Sequence, residues 1–228
     1  MTTSPTPPGR RQVLRQAAAA ALAGTGLLLT SGPNAQATQR RAAALLPAIG
    51  QTFTMAMSAF GTTLVVPLPP PLPHLDLIGG ISVKVLAGGA DFVRLQTLDF
   101  SMVAEHTLFG RVRLTLPALE VSPPSTLQEG PGGLVHTWLQ SMTMTFDRWG
   151  DLTGPFTLET SQPVKASGDL PQFPPPPLSA NPNGSPTGGA FLTAAGPIHF
   201  TGGPPEDGLP DLSAVQLQWD GIYEGQPT

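Results

Sequence analysis

The sequence contains no cysteine. That excludes a disulfide framework, a thiolate metal ligand and a cysteine nucleophile, and it leaves apolar burial as the source of stability. Charge is scarce as well, with Asp, Glu, Lys and Arg making up 11% of the chain and acids outnumbering bases 15 to 11. Such a balance argues against non-specific binding to nucleic acid or to an anionic membrane. No apolar run reaches the length of about 20 residues that a helical bilayer span requires. Several motifs are missing too: His-Glu-x-x-His, the Gly-x-Ser-x-Gly nucleophile elbow, a phosphate-loop lysine, the alternating acids of an EF-hand and any repeat of fixed period. Their absence removes the zincin, α/β-hydrolase, nucleotide-binding, propeller and solenoid readings.

What is plentiful is glycine and proline, at 26 and 28 residues, a balance poor in helix formers and rich in turn formers. The 40% hydrophobic content is organised into alternating runs, which disorder would not produce. The clearest run spans residues 92–117. Val93 and Leu95, then Leu98, Phe100, Met102 and Ala104, then Val112, Leu114 and Leu116 recur at every second position. Arg94, Gln96, Asp99, Ser101, Glu105, Arg111 and Arg113 fill most of the opposite face, which is the period of a strand with one wet side. Leu108-Phe109-Gly110 marks the turn of a long hairpin, and the phase shift between Leu95 and Leu98 predicts a bulge near Thr97.

The same period predicts strands elsewhere. Phe53, Met55 and Met57 begin one, with 63–66 as its hairpin partner after Phe60-Gly61-Thr62. The prolines of 67–73 then form a polyproline-like connector. Ile81, Val83 and Val85 mark a third strand. Residues 134–146 place His136, Trp138, Gln140, Met142, Met144 and Phe146 on one face. Asp147 to Asp151 form a turn, 156–160 returns, and Val215, Leu217 and Trp219 mark a last strand. The pairs Gly79-Gly80, Gly88-Gly89, Gly132-Gly133, Gly188-Gly189 and Gly202-Gly203 punctuate turns. Residues 162–189, with four prolines at 174–177, are expected as a strap across the outside, pinned by Leu170, Phe173 and Leu178. A run as long as 134–146 would span roughly 40 Å at about 3.3 Å per residue, so the sheets should be strongly curved. The fold class is all-β: a single antiparallel β-sandwich with long curved strands, or a partly open β-barrel, of about eight or nine strands.

The N-terminus carries a different signal. Residues 1–15 hold three arginines and no acid, 17–30 are weakly apolar, and Ala35-Gln36-Ala37 offers a small-x-small cleavage site. These are the three parts of an export signal. Gly9-Arg10-Arg11-Gln12-Val13-Leu14-Arg15 resembles the bacterial twin-arginine (Tat) export motif, with Gly9, Val13 and Arg15 departing from its commonest residues. The resemblance implies a bacterial protein that folds before crossing the membrane with the twin-arginine machinery as a partner. Cleavage after Ala37 would leave 191 residues with a formal charge of −7, in a secreted or extracytoplasmic location. The chain thus divides into a signal peptide at 1–37, a flexible lead-in at 38–51 and one β-domain at 52–228.

Candidate chemistry is sparse. His74 and Asp76 stand two apart and share a face in an extended chain, and Glu105 and His106 lie near the hairpin tip, so these four are the candidate ligands for a divalent metal, with His136 next. The fourth histidine, His199, stands apart from them. Asp99 with Glu105, or Asp147 with Asp151, are carboxylate pairs whose plain reading is solvated faces and turns. Glu206-Asp207-Gly208 with Asp211 gathers acids as a solvated loop, and Asn183-Gly184-Ser185 matches a glycosylation tripeptide that bacterial export leaves idle. Trp138, Trp149, Trp219 and Tyr223 are the rings a sugar- or lipid-binding face would use, Trp149 being the exposed candidate in its turn and Trp138 and Trp219 core.

Three functional classes follow. A non-catalytic extracellular binding or structural module of unknown ligand leads. A carrier of an apolar molecule such as a lipid is second, on the strength of Met55, Met57, Met102 and Met142 or Met144 at strand positions. A metal-dependent enzyme is third. The export signal is directly testable: replacing Arg10 and Arg11 together by Lys is expected to block export while cytoplasmic folding continues, as seen by fractionation of the cells. Undiminished secretion of that variant would assign the signal to the general route.

Overall fold

The computed structural model of the protein describes residues 46–119, 122–202 and 211–228. The segment expected as a signal peptide, the first part of the expected lead-in and Glu206-Asp207-Gly208 therefore lie outside the described residues. Strands are β1 (Thr52–Val65), β2 (His74–Leu86), β3 (Phe92–His106), β4 (Gly110–Thr115), β5 (Ser125–Gly130), β6 (Gly133–Gln140), β7 (Thr143–Trp149) and β8 (Leu152–Thr160). They continue with β9 (Val164–Leu170), β10 (Leu178–Ala180), β11 (Pro186–Gly188), β12 (Ala190–Ala194), β13 (Ile198–Gly202), β14 (Val215–Gln218) and β15 (Gly221–Gly225). No helix occurs among the described residues, so none there is long and apolar enough to cross a membrane.

Thirteen strands form one antiparallel sheet, and β10 and β11 make a separate hairpin. The all-β expectation holds, in more and shorter strands than the eight or nine read from the sequence. Of the two expected architectures, one continuous sheet curving in a ring is formed rather than two facing sheets. Its order, β14-β13-β8-β7-β4-β3-β2-β1-β15-β12-β9-β6-β5, carries two additional pairings, β14 with β1 and β3 with β5. These return the sheet on itself twice. One circuit of hydrogen-bonded neighbours runs β1-β14-β13-β8-β7-β4-β3-β2, the other β1-β15-β12-β9-β6-β5-β3-β2. The strands β1, β2 and β3 belong to both.

Each shared outer strand changes partner midway. In β1, Ala56 to Ser58 pair with β15 while Thr63 to Val65 pair with β14. Between them sits a bulge, not the turn expected at Phe60-Gly61-Thr62: the register to β2 shifts between Ala59 and Thr62. Gly61 takes a φ of 69°, a conformation costly for a residue with a Cβ. In β3, Phe92 to Leu95 pair with β5, whereas Ser101 to His106 pair with β4. The register to β2 shifts where Ser82 faces Asp99 and Val83 faces Thr97, so Leu98 is the extra residue of the bulge expected near Thr97.

Strand β2 carries no bulge of its own. Gly79 and Gly80, expected as a turn, lie inside it, with Gly79 facing Met57 on one side and Met102 on the other. A Cβ on Gly79 would fall on the backbone of Ser101 and Met102. The neighbouring strand approaches so closely there that only glycine fits.

Further differences have local causes. Residues 134–146 are two strands, because the chain breaks at Ser141-Met142 and β6 and β7 join different circuits, yet the inward parity of 136 to 146 continues unbroken. Of the expected strap, Val164–Leu170 is a full member of the sheet, paired with β6 and β12. Only 171–177 and the β10–β11 hairpin lie outside it. Leu170 and Leu178 are buried and Phe173 packs against the core, as pins should.

The core is one continuous cluster, with Trp138, Phe100, Phe109, Phe146 and Phe200 among its largest fully buried side chains. Met55, Met57, Met102, Met142 and Met144 are all in it. Because the strands approach so closely at Gly79, Gly79→Ala is expected to lower unfolding free energy in urea by about 1–3 kcal/mol, the range for overpacking. Gly132→Ala, in a turn where a Cβ would meet nothing within 4 Å, should leave it within about 0.5 kcal/mol. Equal midpoints for the two variants would remove this account of Gly79.

Candidate functional site

The four residues read as metal ligands lie on outward strand positions or at a hairpin tip, and each is engaged separately. His74 Nδ1 stands 3.1 Å from the Thr63 hydroxyl across β1 and β2. Asp76 accepts a hydrogen bond from the Gly61 N–H at 2.8 Å, closing the β1 bulge. Glu105 pairs with Arg111 at 2.9 Å, directly across the hairpin. The His106 ring stacks on Phe109 with centroids 5.1 Å apart and its Nδ1 accepts from the Leu108 N–H, while partial burial pushes the imidazole below its usual range. Among the described residues no group of three or more His, Asp or Glu is placed to hold a metal ion. Of the carboxylates, Asp147 is paired with Arg113 at 2.6 Å and Asp99 is exposed opposite Ser82. Asp151 is exposed in a turn, and His199 is exposed on β13. Asp211, bonded by the hydroxyl and N–H of Ser213, is held below the usual carboxyl range.

The aromatic residues also redistribute. Trp149, expected exposed in a turn, ends β7 and packs against Phe109 at 5.0 Å and Phe146 at 5.8 Å. Trp138 is buried on β6 and Trp219 packs on it edge to face, with centroids 6.1 Å apart. Tyr223 pairs with the exposed Phe191 on the outer face of β12 and β15.

The two circuits differ inside. The inward positions of β4, β7, β8, β13 and β14, among them Val112, Leu114, Met144, Phe146, Leu158, Phe200, Val215 and Leu217, are apolar. The other circuit carries His136 and Gln140 on β6, Ser125 on β5 and Glu224 on β15, all buried. His136 Nδ1 lies 2.8 Å from Glu224 Oε1, and the two side chains are 2% and 1% exposed. The other imidazole nitrogen, Nε2, makes no hydrogen bond. That nitrogen, Glu224 Oε2, Trp138 Nε1 and Trp219 Nε1 are all buried with no hydrogen-bond partner.

These four atoms fall in two contacting pairs. Glu224 holds His136, His136 and Trp138 share the inward face of β6, and Trp138 meets Trp219. Phe100 lies 5.8 Å from Trp138, and Phe173, from the segment after β9, lies 6.2 Å from His136 and 5.2 Å from Phe53. One ring, Phe173, thus lies edge-on to His136, while the others pack on Phe173 or Trp138. Trp219 also lines a surface cleft of about 360 Å³ with Gly61, Thr63, Pro197, Gln218 and Asp220. One indole thus touches both solvent-accessible space and the interior ring cluster.

Sequence reasoning reached His136 only as a reserve metal ligand and missed Glu224. The available signal was parity: His136 interrupts an inward row of large apolar residues, and Glu224 follows Ile222 by two. The pair should be strongly coupled. His136→Leu leaves the buried Glu224 side chain without its partner and is expected to cost about 3–5 kcal/mol, whereas Glu224→Gln keeps a side chain able to bond the imidazole and should cost about 1–3 kcal/mol. Changing both residues to Leu should cost less than the two single Leu changes summed, read from urea unfolding. Simple additivity would mean that the pair is not the unit described.

The sequence matches no protein-family model and no curated protein. In structure the chain is similar to DynF from the dynemicin biosynthesis pathway of Micromonospora chersina, with a TM-score of 0.59 and 16% identity over 80% of this chain and 83% of that one. At that identity the likeness concerns the fold.

Proposed function

We propose that the protein is an exported, non-catalytic binding protein that takes a small molecule with an apolar body and one polar group into the β5-β6-β9-β12-β15 side of the ring. The observation that carries the reading is the set of four buried polar atoms without partners at His136, Glu224, Trp138 and Trp219. Buried polar groups in folded proteins are nearly always satisfied, and each left unpaired costs on the order of 1–3 kcal/mol. A fold that concentrates them at one place, while the other circuit is lined by apolar side chains, holds them for something that binds there.

Two features support access. Trp219 joins the surface cleft to Trp138. On the other flank, Phe173 belongs to a segment outside the strand ladders whose prolines cannot donate hydrogen bonds. The bonds from the Gln226 N–H to Pro175 and Pro176 are 3.4 and 3.2 Å long. The five buried methionines suit a wall that repacks around an apolar guest. Export rests on the Arg10-Arg11 signal and fits a protein without cysteine or cofactor motif.

Native mass spectrometry of the mature protein, recovered from its own host by mild extraction, tests the reading. A discrete organic adduct on the wild type, reduced or absent on His136→Leu, is the expected result. A bare protein mass would refute it, and an adduct with the mass of a metal ion would favour the metal-dependent class instead.

A further inference from the structure

Resting on the binding reading above, we infer that residues 171–177 are a gate, a strap across one end of the ring that lifts to admit a guest to His136, with Phe173 as its plug and Gln226 as its latch. Position carries the first part. The segment leaves the ladder after Leu170 on β9, and its Phe173 ring packs edge-on against Phe53 on β1 with centroids 5.2 Å apart. In the circuit β15 and β12 separate β1 from β9, so this contact reaches across the ring and not along its wall. Phe53 is the second residue of β1, which puts the crossing at the rim. The same Phe173 ring meets His136 edge-on at 6.2 Å, and the His136 side chain is 2% exposed.

Attachment carries the second part. Five of the seven strap residues are proline, which has no N–H to donate. Among the described residues, the backbone of 172–176 receives one backbone donor, the Gln226 N–H shared between the carbonyls of Pro175 and Pro176 at 3.4 and 3.2 Å. The ends are held more firmly. Leu170 and Leu178 are buried, the Leu178 N–H donates to the Gln226 carbonyl at 3.0 Å, and the Gly189 N–H donates to Pro177 at 2.9 Å. Gly225 lets the closed strap lie flush, since a Cβ there would fall against the Pro176 carbonyl. Lifting the middle of the strap therefore breaks one shared bond and the ring contacts of Phe173, and it leaves the ladders intact. Entry past Trp219 would have to part β1 from β14 or β15, which pair through Thr63 with Gln218 and Ser58 with Tyr223. Laddered strands open as cooperative units, so the strap is the weaker closure.

Exchange of the His136 ring C2 hydrogen for deuterium, followed by peptide mass spectrometry of the mature protein at neutral pH, reads access to this end of the ring without any ligand. The exposed His74 and His199 supply the unprotected rate in the same sample. Phe173→Ala and Gln226→Pro, the second of which deletes the latching N–H, are each expected to raise the His136 rate about tenfold, the equivalent of about 1.4 kcal/mol on the opening equilibrium. The backbone amides of β6 and β9 should stay as protected as in the wild type. Phe191→Ala, which removes an exposed ring from β12, should leave the rate unchanged. A His136 rate unmoved by both strap variants would overturn the inference. So would a rise accompanied by lost amide protection in β6 and β9, because the strap would then be a structural brace. The gate and the binding reading fail separately: a bare wild-type mass in native mass spectrometry refutes binding whatever the exchange rates, whereas an adduct on a protein whose strap variants exchange at the wild-type rate refutes the gate alone.

Discussion

Strand β2 is hydrogen-bonded to β1 on one side and to β3 on the other, and every other strand of the large sheet is reached through one of those two. Ladder bonds are directional and each strand has only two edges, so a strand can join two circuits only by giving different lengths of one edge to different partners. That requirement explains why β1 and β3 are long and why each carries a bulge between its halves. It also explains why β2, which keeps the same neighbours throughout, carries no bulge of its own. Because both circuits close, β4, β7, β8, β13 and β14 on one side and β5, β6, β9, β12 and β15 on the other have partners on both edges. Closure removes the exposed edges through which sheets aggregate, which suits a chain with few charges to protect them.

The same architecture separates two interiors within one core. In the apolar one, the rings of Phe109, Phe146 and Trp149 pack on one another. In the other, a buried acid and a histidine hold each other. Replacing such a pair by well-packed hydrophobic residues is often neutral or stabilising, so stability alone does not explain its retention. The desolvation of Glu224 is offset only in part by one hydrogen bond from His136, and four polar atoms remain over. The contrast between the two circuits is what the proposed binding rests on.

Much of this was legible as period and little of it as connectivity. The inward parity of 92–104, 112–116 and 136–146 is visible in the sequence because a strand with one dry face alternates, whatever its partner. The division of 134–146 into β6 and β7 was not visible, since the break at Ser141-Met142 preserves parity and only the neighbours change. Strand β9 was hidden by composition: Ala166, Ser167 and Gly168 are small, and Pro163 precedes it, so it reads as loop until β6 and β12 flank it. The start of β2 was masked by Pro73 and by the polar outward residues His74 and Asp76. Glu224 was beyond reach because its partner lies 88 residues away and β15 is a five-residue strand bounded by glycines.

The contrast between the two sets of histidines and acids has a physical basis. On an outward face a polar side chain is solvated at no cost, so its presence needs no special reason. When it does bond, it bonds to whatever irregularity of the ladder lies beside it: Asp76 takes the free N–H that the Gly61 bulge exposes, and Glu105 takes the arginine directly opposite. These contacts hold register, and a spacing that would suit a ligand pair is here spent on the backbone. On an inward face the balance reverses. A polar side chain there forfeits its hydration, and its bonds must come from other buried groups or from a guest. His136 and Glu224 make one bond to each other, and no backbone irregularity uses their remaining atoms. A buried polar group that the fold itself does not consume is therefore a stronger indication of function than an exposed pair at a suggestive spacing, and it is on this ground that the proposed binding rests on His136 and Glu224.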